Sequence, residues 1–203
     1  AENSVDKSMI VISLQEVEMG GASVALAAAK ETLSAKSQEK GNANAQYWAN
    51  SVTGVLGRSW PGVSLRQLSG MLIMVYARSN LSKSLGEVKT TSVACGILGV
   101  GGNKGAVAVH LSLYRHRMVF VCSHFAAHQH AVDLRNANYH TILQGLDFRT
   151  EDEREDDGGE FSPSYRGMDE DGDASATAAM EIPLDLRNVH AIFWMGDLNY
   201  RID

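Results

Sequence analysis

Apolar positions in this chain gather into short dense runs separated by polar or glycine-rich breaks. Residues 9–14, MIVISL, are continuous, apolar and β-branched, and they predict a buried strand. Residues 63–77, VSLRQLSGMLIMVYA, predict two strands joined near Ser69-Gly70. Residues 89–98 and 105–113 predict strands around a glycine-rich turn, and 117–123 predicts another after a tight turn at Tyr114–His116. Strands that follow one another so closely form a meander, so at least part of the sheet is antiparallel. Residues 189–195, VHAIFWM, predict the last strand.

Three stretches switch to helical character. Residues 20–40 are rich in Ala, Leu, Lys and Glu after a Gly-Gly break, and 43–57 predict a second helix. From Gln129 to Leu146, the apolar residues Val132, Ala137, Ile142 and Leu146 recur near helical spacing, with Leu134 and Tyr139 beside them. Strands interspersed with helices predict an α/β fold with a mixed sheet. The 203 residues suffice for one domain with a real core. Residues 150–180 break both patterns: charge is dense, apolar residues are few, and a solvated acidic insertion is expected there.

Charge changes the picture. The net charge is −6, but residues 151–173 hold eleven acids against two Arg, so the rest of the chain carries +3. That body does not repel an anionic substrate. No apolar run approaches the roughly 18 residues that span a bilayer. The N-terminus, AENSVDKSMI, lacks both signal-peptide character and an initiator Met, and the chain is expected to be a piece of something longer. Cys95 and Cys122 each lie in an apolar segment, which predicts buried free thiols in a reducing compartment.

Chemistry concentrates in four places, each with an ordinary structural reading beside the functional one. Glu16 and Glu18 follow the first strand, where α/β folds bind ligands, though strand ends often carry solvated acids. GVGGNKGAV, 99–107, offers backbone N–H groups and Lys104 to a phosphate, yet it fits neither the P-loop nor the dinucleotide pattern and equally describes a hairpin turn. His124 ends an apolar strand and His128 and His130 follow; a general acid, a phosphate donor or a metal ligand would each suit, as would a structural hydrogen bond. Zinc is disfavoured, because no Cys or third His has suitable spacing. In GDLNYR, Asp197 and Asn199 lie two apart and can face one side past the strand. With Glu16, Asp197 makes two carboxylates for a hard divalent cation, and Arg201 adds a fork suited to phosphate. Asp169, Asp171 and Asp173 imitate a calcium loop, but Ala174 and Met180 stand where Gly and Glu are needed.

In order, LQEVEMG, GNKGAVAV, CSHFAAH and FWMGDLNYRID resemble the catalytic domain of inositol polyphosphate 5-phosphatases, within the endonuclease/exonuclease/phosphatase superfamily. The match covers most of 9–148 and 189–203 and leaves out the acidic insertion. The resemblance implies two packed, mixed and largely antiparallel sheets flanked by helices, incomplete at both ends. It implies magnesium-dependent hydrolysis of the 5-phosphate from phosphoinositide headgroups or soluble inositol phosphates, in a cytoplasmic protein meeting membranes peripherally, with no nucleic-acid partner. Glu16 would bind magnesium, Asp197 would orient or deprotonate the water, Asn199 and His124 would contact the scissile phosphate, and Asn103, Lys104 and Arg201 would hold ring phosphates. The family also has an upstream Asn near the metal, a later Trp-Cys-Asp-Arg and a final Ser-Asp-His. None matches here, so these 203 residues alone are expected to be inactive. The alternatives are a non-catalytic inositol-phosphate-binding or scaffold piece, or a nuclease- or sphingomyelinase-type phosphodiesterase of the same superfamily.

Overall fold

The computed structural model describes residues 9–17, 41–95, 103–149 and 184–201. The expected helix at 20–40, Glu18, most of the glycine turn and the acidic insertion lie outside the described residues. Among the described residues, seven strands form two sheets. The first has the order β1 (Met9–Leu14), β3 (Met71–Ala77), β2 (Gly62–Leu68), all antiparallel. The second has the order β4 (Leu85–Ala94), β5 (Gly105–Leu113), β6 (His116–His124), β7 (Ala191–Asp197). There the meander β4-β5-β6 is antiparallel, and β7 joins β6 in parallel. Both sheets follow the expected pattern, with strand ends shifted by a few residues. The helices among the described residues are α1 (Ala43–Leu56), α2 (Val132–Gly145) and a short α3 (Leu184–Arg187) that the sequence did not announce.

Period-two alternation explains the layering. In β3, Leu72, Met74 and Tyr76 face α1 and pack with Ala45. Met71, Ile73 and Val75 face the second sheet, where they meet Val107, Val109, Leu111, Phe120 and Cys122. A strand covered on both faces needs a continuous apolar run, and all seven residues of β3 are buried. The second sheet repeats the scheme. Ala106, Ala108, Val119 and Val121 point outward and are covered by Phe125, Ile142, Leu143 and Leu146. Each Val, Leu, Ile or Phe side chain among these contributes about 1.5–3 kcal/mol when fully buried. The order of layers is therefore helix, sheet, sheet, helix.

One helix face departs from expectation. Helical spacing placed Val132 in the apolar row with Leu134 beside it, but both are exposed, while Arg135 is buried. Only the second half of α2 seats apolar side chains, through Ile142 and Leu143. Cys122 is a buried free thiol, and Cys95 is half-buried with its thiol pushed up to about 12 by burial.

Candidate active site

The register of the second sheet lines up three side chains. Gly105 pairs with His124, and His124 pairs with Asp197. Lys104 at the mouth of β5, His124 at the end of β6 and Asp197 at the end of β7 therefore stand side by side. Glu16 lies just beyond β1, at the neighbouring corner of the first sheet.

Two glycines make this alignment possible. Gly105 has φ +146°, and a Cβ there would stand 2.1 Å from the Val93 carbonyl oxygen. Gly196 has φ +128°, and its Cβ would stand 2.0 Å from the Ser123 carbonyl oxygen. Any side chain at either position would push the strands apart beside Lys104 or Asp197. Backbone strain aims two further groups: Glu16 and Asn199 have φ of 57° and 53°, unusual for residues with a Cβ. The Glu16 corner is held by the Val17 N–H, which donates to the Gly70 carbonyl at 3.1 Å. Beside it, the Gln15 amide donates to Ser13 Oγ at 2.9 Å and to Cys122 Sγ at 3.3 Å, tying the end of β1 to β6.

The side chains converge on one imidazole. His124 Nε2 lies 2.6 Å from Lys104 Nζ, 3.7 Å from Asp197 Oδ2 and 3.9 Å from Glu16 Oε1. His124 is 6% exposed, whereas the side chains of Glu16 and Asp197 are 59% and 48% exposed, so water screens the two acids but not the ring. Burial, and then the Lys104 charge, hold His124 below the ordinary histidine value, against the opposing pull of Asp197 and Glu16. Burial likewise lowers Lys104, with Glu16 and Asp197 opposing. A neutral His124 can accept the Lys104 N–H at Nε2. Asp197 is fixed through its other oxygen, which accepts the Asn199 backbone N–H at 2.9 Å. The Asn199 amide donates to the Phe125 carbonyl at 3.0 Å, and an amide has a second N–H to offer.

The sequence reading set Lys104 apart in a turn holding a ring phosphate; the structure brings its ammonium into the same cluster as His124 and Asp197. Arg201 lines a cleft of about 490 Å³ with Asp197 and Asn199. Asn103 and Lys104 line a second cleft of about 590 Å³ with His128 and His130. The rings of His128 and His130 stack on each other at 5.9 Å, in a loop rather than on a helix. Sequence reasoning missed Ser123 and Trp194, whose side chains bond to each other at 2.9 Å beneath the site. It also missed Tyr200 and Arg135. Nothing in the spacing marks them, because a Ser in a strand and an Arg on a helix ordinarily read as neutral or solvated.

Among the described residues, no three His, Cys, Asp or Glu side chains group as a metal cage. Two half-exposed carboxylates nevertheless fit a hard divalent cation that keeps several of its waters. They do not fit zinc, which takes three or four nitrogen or sulfur-rich ligands.

Endonuclease/Exonuclease/phosphatase family 2 matches this chain over residues 1–203. The chain belongs to that family. Two relatives within reach of it are from Arabidopsis thaliana: type II inositol polyphosphate 5-phosphatase 15, 35% identical over 96% of this chain, and type I inositol polyphosphate 5-phosphatase 13, 31% identical over 97%. The chain spans 18% and 17% of the length of those two proteins. Synaptojanin-1 of Homo sapiens is 30% identical over 79% of the chain, which spans 8% of that protein. Among solved structures, the inositol polyphosphate 5-phosphatase domain of a synaptojanin, in complex with inositol (1,4)-bisphosphate and calcium ion, matches all of this chain and 46% of its own, with a TM-score of 0.62 at 22% identity. That likeness establishes the family's two-sheet fold for this chain.

Proposed function

We propose that this chain carries part of a centre that hydrolyses the 5-phosphate of an inositol polyphosphate, either soluble or as a phosphoinositide headgroup. The observation that carries the reading is the convergence of Lys104, His124, Asp197 and Glu16 from four strand ends onto one point. Phosphoryl transfer asks for an in-line water and neutralised phosphate charge, and this group contains the parts for both. The 5-phosphatase names of the relatives support the same substrate class.

Lys104 and His124 stand where they can bind the oxygens of the transferring phosphate, one as a charge and one as a hydrogen-bond partner. An arriving phosphate dianion favours the protonated imidazole, so His124 becomes a donor when it is needed as one. Asp197, pinned by the Asn199 N–H, keeps one oxygen to orient or deprotonate the water. Asn199 steadies the backbone of Phe125 and can offer its remaining N–H to the scissile phosphate. Asn103 and Arg201 line the flanking clefts and hold ring phosphates. Glu16 would bind a divalent cation, magnesium by preference, with Asp197 close by; when bound, that ion offsets negative charge on the phosphate. The setting is a cytoplasmic protein that meets membranes peripherally.

The test is phosphate release by the full-length protein from inositol 1,4,5-trisphosphate and from phosphatidylinositol 4,5-bisphosphate vesicles, with magnesium and with EDTA. Magnesium-dependent release from at least one substrate, and no cleavage of DNA, is the expected result. Turnover undiminished in EDTA would remove the metal from the reading, and no release from either substrate would remove the phosphatase.

A further inference from the structure

Arg135 is the largest fully buried side chain among the described residues, 1% exposed in the first turn of α2. A buried cation is costly unless its surroundings compensate it. Here its guanidinium donates to three backbone carbonyls of one loop: Ala126 at 3.4 Å, His128 at 2.5 Å and Gln129 at 3.1 Å. That loop follows His124 directly. His128 has φ +77°, a strained value that aims its carbonyl at Arg135. The other side of the guanidinium lies over the Tyr200 ring, 5.0 Å from its centroid. Tyr200 follows Asn199.

The same helix holds each segment once more. Asn138 Oδ1 accepts the Ala126 N–H at 2.9 Å, and the Tyr200 hydroxyl bonds to Asn136 Oδ1 at 2.6 Å. The two segments also touch each other, through the Phe125 N–H on the Asp197 carbonyl at 3.0 Å and the Asn199 amide on the Phe125 carbonyl. A charge buried for packing alone would be a poor choice, since an apolar side chain of similar volume fills space at lower cost. A planar fork with five N–H groups is suited to fixing several carbonyls at once.

We infer that Arg135 is a positioning residue. By clamping the 126–129 loop on one side and Tyr200 on the other, it holds the segments that leave the ends of β6 and β7, and with them Asn199, in place beside the register-paired His124 and Asp197, without touching substrate. Reacting groups displaced by a fraction of an ångström lose rate steeply, so its effect falls on turnover and not on binding. The kinetic arm of this inference rests on the phosphatase reading; the structural arm does not.

The experiment compares the full-length protein with its Arg135→Lys and Tyr200→Leu variants by backbone hydrogen exchange, thermal melting and, where the wild type turns over, kcat and KM. In Arg135→Lys, amides at 125–131 and 198–200 should exchange at least about tenfold faster, with β3 and β5 amides unchanged, while kcat falls at least about tenfold and KM stays within about threefold. Tyr200→Leu alters an exposed ring and leaves the charge in place, so it should fold normally and show the same split at smaller size. Loss of protection throughout both sheets in step with the loops, or failure of Arg135→Lys to fold while Tyr200→Leu behaves as wild type, would make Arg135 a core residue and overturn the proposal. Unchanged loop exchange, or a change in KM with kcat intact, would overturn it as well. Absence of turnover in the wild type would sink the phosphatase reading, with loop exchange still deciding the role of Arg135.

Discussion

The two ends of the second sheet are built from the same strands and put backbone strain to opposite uses. At the far end, β5 and β6 join through Tyr114 and Arg115, with φ of 50° and 69°. Positive φ at both residues is what a two-residue hairpin needs to match strand twist. The side chains there are incidental, and the Tyr114 ring is exposed. At the near end, with the adjoining corner of the first sheet, the left-handed residues Glu16, His128 and Asn199 close no tight hairpin. Their strain instead directs the Glu16 carboxylate toward His124, the His128 carbonyl to Arg135 and the Asn199 amide to the Phe125 carbonyl. Strain that makes a turn can be relieved by a better turn residue; strain that aims a functional group cannot, because relief re-aims the group.

The largest effect that separates the two ends is chemical. On the proposed reading, Asp197→Ala should lower kcat of the full-length protein by about a thousandfold or more in a phosphate-release assay, while the melting temperature changes little. A drop of tenfold or less would mean that another group positions the water.

Next comes Lys104→Met, which tests whether Lys104 acts with His124 or apart from it. Removing the ammonium should cost about a hundredfold in kcat and raise the His124 pKa, since the Lys104 charge is one of the two causes that hold it down. An NMR titration of the ring reads that shift. The sign for stability follows. The folded pKa lies below the unfolded value of about 6.5, so the unfolded chain takes up the proton first as pH falls. His124 therefore costs stability below that pH, and Lys104→Met should make the acid side of the melting profile shallower.

A third comparison places glycine chemistry at both ends. Gly196→Ala drives a Cβ into the Ser123 carbonyl and should destabilise by about 2 kcal/mol or more, with loss of turnover. Changing Tyr114 and Arg115 to Asn and Gly should instead stabilise by about 0.5–1 kcal/mol and leave kcat unchanged. Denaturant melts and the same kinetic assay check both; equal effects at the two ends would erase the distinction.

The smallest effect is at Cys95. With its thiol pushed up to about 12, it should resist iodoacetamide at pH 8 in the folded protein and react once unfolded, as mass spectrometry would show.

The strands were legible because MLIMVYA and its like read as buried segments whatever surrounds them. The candidate residues Glu16, His124 and Asp197 stood out in the sequence because acids and a histidine directly after apolar strands are unusual there, and the structure brings the three together. The place of Lys104 was not legible. Its nearness to His124 follows from the pairing of Gly105 with His124, a register that a glycine turn does not announce. Arg135 was hidden for a different reason. Val132 began the apolar row at the first turn of α2, and a tertiary contact of Arg135 with loop carbonyls outweighed it.

The parallel pairing of β6 with β7 has a consequence for how the molecule reaches this arrangement. His124 and Asp197 meet across a connection of residues 125–190, whereas β4, β5 and β6 need only short hairpin closures. Chain entropy opposes the long closure first and most, so the local meander is free to form early and the Asp197 corner arrives late. Once that cost is met, extra length adds little, about 0.6 kcal/mol for each doubling of the loop. Within that connection, the stretch after α2 can therefore change length at little cost in closure entropy, while the residues at the two ends of the connection are fixed to within a hydrogen bond.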